Sequence, residues 1–233
     1  MFTKELILQN HEAQVQVNLK KSSRAKRIIL RISQNSGVEL VVPKRASEKA
    51  AMRFLYNHQE WLFNKLSQVR PALKNELKDG AKINISGREY IICHTGNLRG
   101  ITTLNDNILS VSGEQKFINK KVKDFLKSEA KREISKIAAE HHKNMGVKYQ
   151  NITLRDTTSR WGSCSQNGNL SFSWRLIFAP YEVLRYVVIH ELAHLREMNH
   201  SKNFWDIVAK FDANYKQHRK WLKANGKLLH SYD

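Results

Sequence analysis

The chain has 233 residues, 41% of them hydrophobic, which is enough to bury one large core or two small ones without disulfide support. Forty Lys and Arg against 21 Asp and Glu give a formal charge of +19, a field that attracts polyanions. Residues 1–10 lack the apolar run of a signal peptide, no stretch approaches the length of a membrane span, and Cys93 and Cys164 form no framework. The composition predicts a soluble, cytoplasmic protein with no membrane partner.

In chain order, Val15, Val17 and Leu19 alternate with polar residues, Ile28 to Leu30 form a short apolar run, and Val38, Leu40 and Val42 alternate again after Ser36 and Gly37. These predict strands closed by Pro43. Lys20, Lys21, Arg24, Lys26, Arg27 and Arg31 form a basic run without an acid, and Lys116, Lys120, Lys121, Lys123, Lys127, Lys131 and Arg132 stud a later segment. Nucleic acid is one partner for such a surface, and a merely solvated lysine face is the other reading. From Ser47 as N-cap, Met52, Leu55, Trp61, Leu62 and Leu66 predict one helix over 47–70, stopped by Pro71. His58 on it reads as a packing or surface histidine.

Asp79-Gly80 and Ser86-Gly87 punctuate strands near Ile83 to Ile85 and Tyr90 to Ile92. Two further strands, near Ile101 to Leu104 and Ile108 to Val111, flank a turn at Asn105 to Asn107, which predicts a meander of hairpins. Phe117, Val122, Phe125, Leu126, Ile134, Ile137, Ala138 and Met145 form the stripe of a long helix ended by Gly146, with His141 and His142 in its last turn. A hairpin is expected from Ile152 to Leu176, turning at Gln166 to Asn169 and bringing Arg160, Trp161, Gly162, Ser163 and Cys164 near a cleft. Its exposed edge would hold a peptide by main-chain hydrogen bonds, while Trp161 and Trp174 read equally well as core and Gly162 as a bulge.

The stretch Val187 to His194 contains His190-Glu191-Leu192-Ala193-His194, a H-E-x-x-H pattern. Residues four apart on a helix differ by one turn and about 40° of arc, so two imidazoles meet one point. Pro180 at the helix start and the spacing of Val183, Leu184, Val187, Val188, Leu192 and Leu195 predict an amphipathic helix with both histidines on its buried side. Glu191 lies where a carboxylate reaches an activated water. A catalytic zinc takes a third protein ligand. Glu197 is the last glutamate and too close to His194, which leaves His200, Asp206, Asp212, His218 and His230, of which His200 is preferred. His200 stands ten residues after His190, the metzincin offset, but Glu197 replaces the metzincin glycine and no Met-turn methionine follows Met198. Asn199, tolerant of left-handed backbone, is the expected turn residue. Arg160, Arg175, Tyr181 and Tyr215 are all available as oxyanion donors, with no basis for choosing among them.

The segments Arg160 to Ser165, Trp174 to Leu176, Ala179-Pro180, Tyr186 to Val188, His190 to Leu195, Asn199 to Ser201 and Phe204-Trp205 resemble the YgjP-like family of predicted zinc metallopeptidases, as does the basic segment Arg24 to Arg27. The resemblance implies a zincin-like α+β fold in which His190, His194 and His200 hold Zn2+ and Glu191 is the catalytic base acting on a protein or peptide. WLM and SprT-like proteases, more distantly similar, act on proteins attached to DNA, which gives the charge a meaning. The expected organisation is a β-rich region over residues 1–112 and a catalytic domain over 113–233. Two other functions stay open: a nucleic-acid-binding module with a structural zinc site, and a zinc hydrolase of a non-peptide substrate.

Overall fold

The computed structural model describes residues 3–9, 14–33, 37–68 and 75–232. It forms two compact units, Met1–Ala72 and Leu73–Asp233. The mixture of sheets and helices is α+β, as the sequence predicts.

In the first unit, β1 (Thr3–Gln9) pairs antiparallel with β2 (Gln14–Ser22), and β4 (Gly37–Pro43) lies between β2 and β3 (Ile29–Ser33), parallel to the first and antiparallel to the second. Period-2 alternation sends Val17, Leu19, Val38, Leu40 and Val42 to one face, where they share a core with Ala51, Leu55 and Leu62 of the helices. The helix expected over 47–70 is two: α1 (Glu48–Asn57), capped by the Ser47 side chain, and α2 (Gln59–Gln68). They break at His58, whose ring stacks 4.1 Å from that of Phe54 and bonds the Phe54 carbonyl at 2.8 Å. His58 is therefore the packing histidine expected. Pro71 and Ser36 lie outside the described residues.

The second unit starts with a sheet of β5 (Lys82–Ile85), β6 (Arg88–His94), β7 (Thr103–Asn105) and β8 (Ile108–Val111) in the order β5, β6, β8, β7. The hairpin turns form where expected, with left-handed backbone at Ser86, Gly87 and Asp106. The sheet is not a meander, however, because β6 and β8 pair in parallel. The boundary also differs from the one expected at residue 112. Ile83, Ile92, Leu109 and Val111 share one buried cluster with Val122, Leu126 and Ile134 of α3 (Ile118–Asn144), so this sheet belongs to the second unit.

Gly146, at φ +64°, follows α3 as its stop. β9 (Asn151–Arg155), β10 (Gly162–Cys164) and β11 (Asn169–Ser173) then form a sheet in the order β10, β11, β9. β10 and β11 make an antiparallel hairpin about the expected turn, with β10 at a sheet edge, whereas the strand expected from Ile152 is the separate β9, paired parallel with β11. The strand expected to run to Leu176 ends at Ser173, and Trp174–Phe178 wind into a fully buried 3-10 turn. α4 (Tyr181–Ala193), α5 (Lys202–Phe211) and α6 (Tyr215–Asn225) complete the unit. Among the described residues no helix is long and apolar enough to cross a membrane.

Candidate metal centre

Helix α4 begins at Pro180, whose carbonyl accepts from the amides of Val183 and Leu184. Nine of its 13 residues are buried, so it runs through the core instead of lying on it with one face wet. His190 and Glu191 occupy its last turn, and His194 is the residue that ends it. The exit is made by a tight turn: Leu195 donates to Leu192, and Arg196 and Glu197 both donate to Ala193. The expected left-handed turn at Asn199 is absent, since Ser86 and Asp106 are the non-glycine residues with positive φ among those described. The turn already reverses the chain before Asn199 is reached.

That turn also orients a ring. The carbonyl of Glu197 lies 3.1 Å from His194 Nδ1, which fixes the tautomer and leaves Nε2 as the free lone pair. His200 follows, directly before Ser201, whose side chain caps α5 by accepting from the Phe204 amide at 3.3 Å. Phe204 is fully buried and its ring lies 4.9, 4.5 and 4.7 Å from those of His190, His194 and His200. Trp205 stacks on His200 at 5.6 Å. One apolar floor therefore holds three imidazoles.

These histidines each offer a ring nitrogen within 4.8 Å of the others. His190 Nε2 and His200 Nε2 are 3.0 Å apart, near the ~3.3 Å chord between two nitrogens on one tetrahedral zinc. Two facing lone pairs can share one proton at most, and His190 Nδ1 is buried without a partner among the described residues. A cation among the rings would take up the facing Nε2 lone pairs, which the protein alone leaves opposed. Burial, with the neighbouring His194 and His200, pushes His190 down to about 3. Burial lowers His194 as well, against the opposing pull of the Glu197 carbonyl. Neutral imidazole is the form that ligates a metal.

Glu191 is buried, and burial pushes its carboxyl up to about 8 while Arg160 pulls the other way. It rests against β10. A Cβ built on Gly162 would fall 2.5 Å from Glu191 Oε1 and 2.6 Å from its Cγ. Gly162 is thus a point of close approach and not a bulge, a role decided by a partner distant in sequence. Cys164, also on β10, is pushed up to about 11 by burial and by the Glu191 charge, which keeps it a thiol and not a nucleophilic thiolate. A cavity of about 520 Å³ opens beside His194, between the turn Ser165 to Gly168 and Lys148, Arg196 and Met198.

The remaining candidates separate by position. Asp212 is committed to Arg185 at 3.2 Å and His218 at 2.7 Å, and His230 packs 5.0 Å from the Trp161 ring, so neither joins the histidine cluster. Asp206 is outside that cluster too. Of the oxyanion donors, Arg175 is buried and bonded to Asp156 and the Tyr232 carbonyl, and Tyr181 stands nine residues before His190 on α4, a rise of about 13 Å. Tyr215 stacks on Trp205 at 5.3 Å. Arg219, which sequence reasoning missed, sits 4.9 Å over the same indole and its charge reaches His190 and Tyr186. Its spacing of four from Tyr215 on α6 was the available signal.

Comparison with solved structures finds the metallopeptidase zymogen of Pyrococcus abyssi abylysin, at 23% identity over 39% of this chain and 93% of that one, with a TM-score of 0.35. It also finds the metallopeptidase zymogen of Methanocaldococcus jannaschii jannalysin, at 22% identity over 41% of this chain and 96% of that one, again with a TM-score of 0.35. No curated protein matches. The model of the YgjP-like metallopeptidase domain matches residues 26–225, and the chain, a metallopeptidase by that match, belongs to this family.

Proposed function

We propose that the second unit hydrolyses peptide bonds with Zn2+ held by His190, His194 and His200 and with Glu191 as general base. The observation that carries this is the convergence of three ring nitrogens within 4.8 Å, the first of them next in sequence to the buried Glu191 on α4. Zinc, when bound, supplies Lewis acidity toward the scissile carbonyl and the attacking water. Glu191 takes a proton from that water as its oxygen bonds to the carbonyl carbon. The carbon–nitrogen bond then breaks with its electron pair on nitrogen. Glu191 hands the proton to the leaving amine, and the second water proton follows, giving carboxylate and ammonium products. The free edge of β10, beside Glu191, offers main-chain groups to an extended protein segment.

Zinc analysis and hydrolysis of an unfolded protein, measured together on three proteins, test the reading. Glu191→Gln should keep its zinc and lose activity by about 10²-fold or more. His200→Ala should lose most of its zinc. Unchanged hydrolysis in the first variant sinks Glu191 as base, and full zinc retention in the second sinks the third ligand. A second reading, binding of nucleic acid alongside hydrolysis, is favoured by the charge of +19. The free cysteines Cys93 and Cys164 fit a reducing compartment and support a cytoplasmic location.

A further inference from the structure

The inner face of the first unit's sheet is apolar, and its outer face is not. Because side chains alternate, burial of Val17 and Leu19 on β2 and of Leu40 and Val42 on β4 turns Lys20 and Val41 outward. The register sets Lys20 opposite Val41, and Val41 opposite Ile29, so one outward row crosses three strands. Beyond the ends of the strands, the Lys44 amide bonds the Ser22 carbonyl at 3.2 Å, which brings Lys44 beside the β2 terminus. The Ser22 hydroxyl accepts from the amides of Arg24 and Ala25 at 3.3 Å, curling Arg24 back toward the same place. Cations far apart in sequence thus line one concavity of about 780 Å³: Lys20, Lys21, Arg24, Arg31 and Lys44, around Val41.

Like charges gathered on a concave surface repel one another until an anion enters. The sequence from 13 to 38 contains no acid, and of the two carboxylates on the neighbouring row of the same face, Glu5 and Glu39, the second is bonded by Arg31 at 2.7 Å. We infer that this concavity binds the phosphate backbone of nucleic acid. The inference rests on the nucleic-acid reading above and gives it a place. Among the described residues no aromatic side chain lines the concavity, so the contacts are to phosphates and carry no base preference. A polyvalent backbone matches several cations at once, whereas a flat anionic membrane meets a concave surface only at its rim.

The test is fluorescence anisotropy of a short labelled DNA duplex and an RNA hairpin with the full chain, across a salt series. Three proteins are compared: wild type, Lys20→Ala/Lys21→Ala/Arg24→Ala, and a control of equal charge loss on exposed positions of α3, Lys120→Ala/Lys136→Ala/Lys143→Ala. The expected result is that the first variant reduces the slope of log K against log salt by about 2 to 3, and the control by less than about 1. Equal loss in both variants overturns the concavity as the site and leaves the nucleic-acid reading standing. Absence of wild-type binding at low salt overturns both. Binding of phosphatidylserine vesicles with no binding of either nucleic acid overturns the proposal in favour of lipid. Hydrolysis of unfolded protein, with none of the substituted residues in the metal centre, should be unchanged in both variants, and a wild-type far-UV circular dichroism spectrum with an unchanged unfolding midpoint confirms that the first unit still folds.

Discussion

At Gly162 a single hydrogen in place of a methyl group lets the β10 backbone lie against Glu191. A methyl group there would meet the Glu191 carboxylate and Cγ within 2.6 Å, so strand or side chain must shift. Gly162→Ala should therefore destabilise the unit by about 1 to 3 kcal/mol, read as a lowered unfolding midpoint. Hydrolysis should fall by about 10²-fold, the usual effect of displacing a reacting group by an ångström, while zinc content stays at the wild-type level. Loss of zinc as well would show that Gly162 supports the end of α4 and not the carboxylate. His190, Glu191 and His194 were legible because one helical turn relates them. Gly162 and Arg219 were not, since their neighbours are set by packing between elements.

At the level of elements, α5 does more than floor the site. Its cap, Ser201, immediately follows His200, so fixing the helix start also fixes where that ring begins. Ser201→Ala should cost about 1 kcal/mol in denaturant unfolding. It should also weaken zinc retention against a competing chelator, and unchanged retention would mean that stacking on Trp205 alone holds His200. The strands themselves were readable from alternation, as β2, β4, β5 and β8 illustrate. Their pairing was not. Alternation specifies a buried face but not a neighbour, so the parallel pairing of β6 with β8 and the allegiance of that sheet to α3 emerge only from shared burial. The same limit applies to α1 and α2, where continuous apolar spacing conceals a break made by His58 folding onto Phe54.

Across the second unit, Arg175 fastens the segment after β9 to the end of the chain. The residue is 7% exposed, and its guanidinium donates to Asp156 at 2.7 and 3.3 Å and to the Tyr232 carbonyl at 2.7 Å. Burial is the largest single influence and raises the Asp156 pKa, but the hydrogen bonding and the charge of Arg175, with smaller contributions from neighbouring groups, together hold it below the ordinary range. Its folded-state pKa is thus lower than its unfolded one, so the stabilisation is present above the unfolded value of about 3.9 and is lost as pH falls through the folded value. Urea midpoints of wild type and Asp156→Asn should differ near neutral pH and converge in acid. A gap that stays constant with pH would assign the effect to packing. Helix α4, buried along most of its length, has a different consequence for the whole unit. Its amides can exchange with solvent only when the surrounding core opens, so His190 and Glu191 in its last turn share the cooperativity of that core. His200, on the exposed segment before α5, is the member of the cluster that can loosen without opening that core.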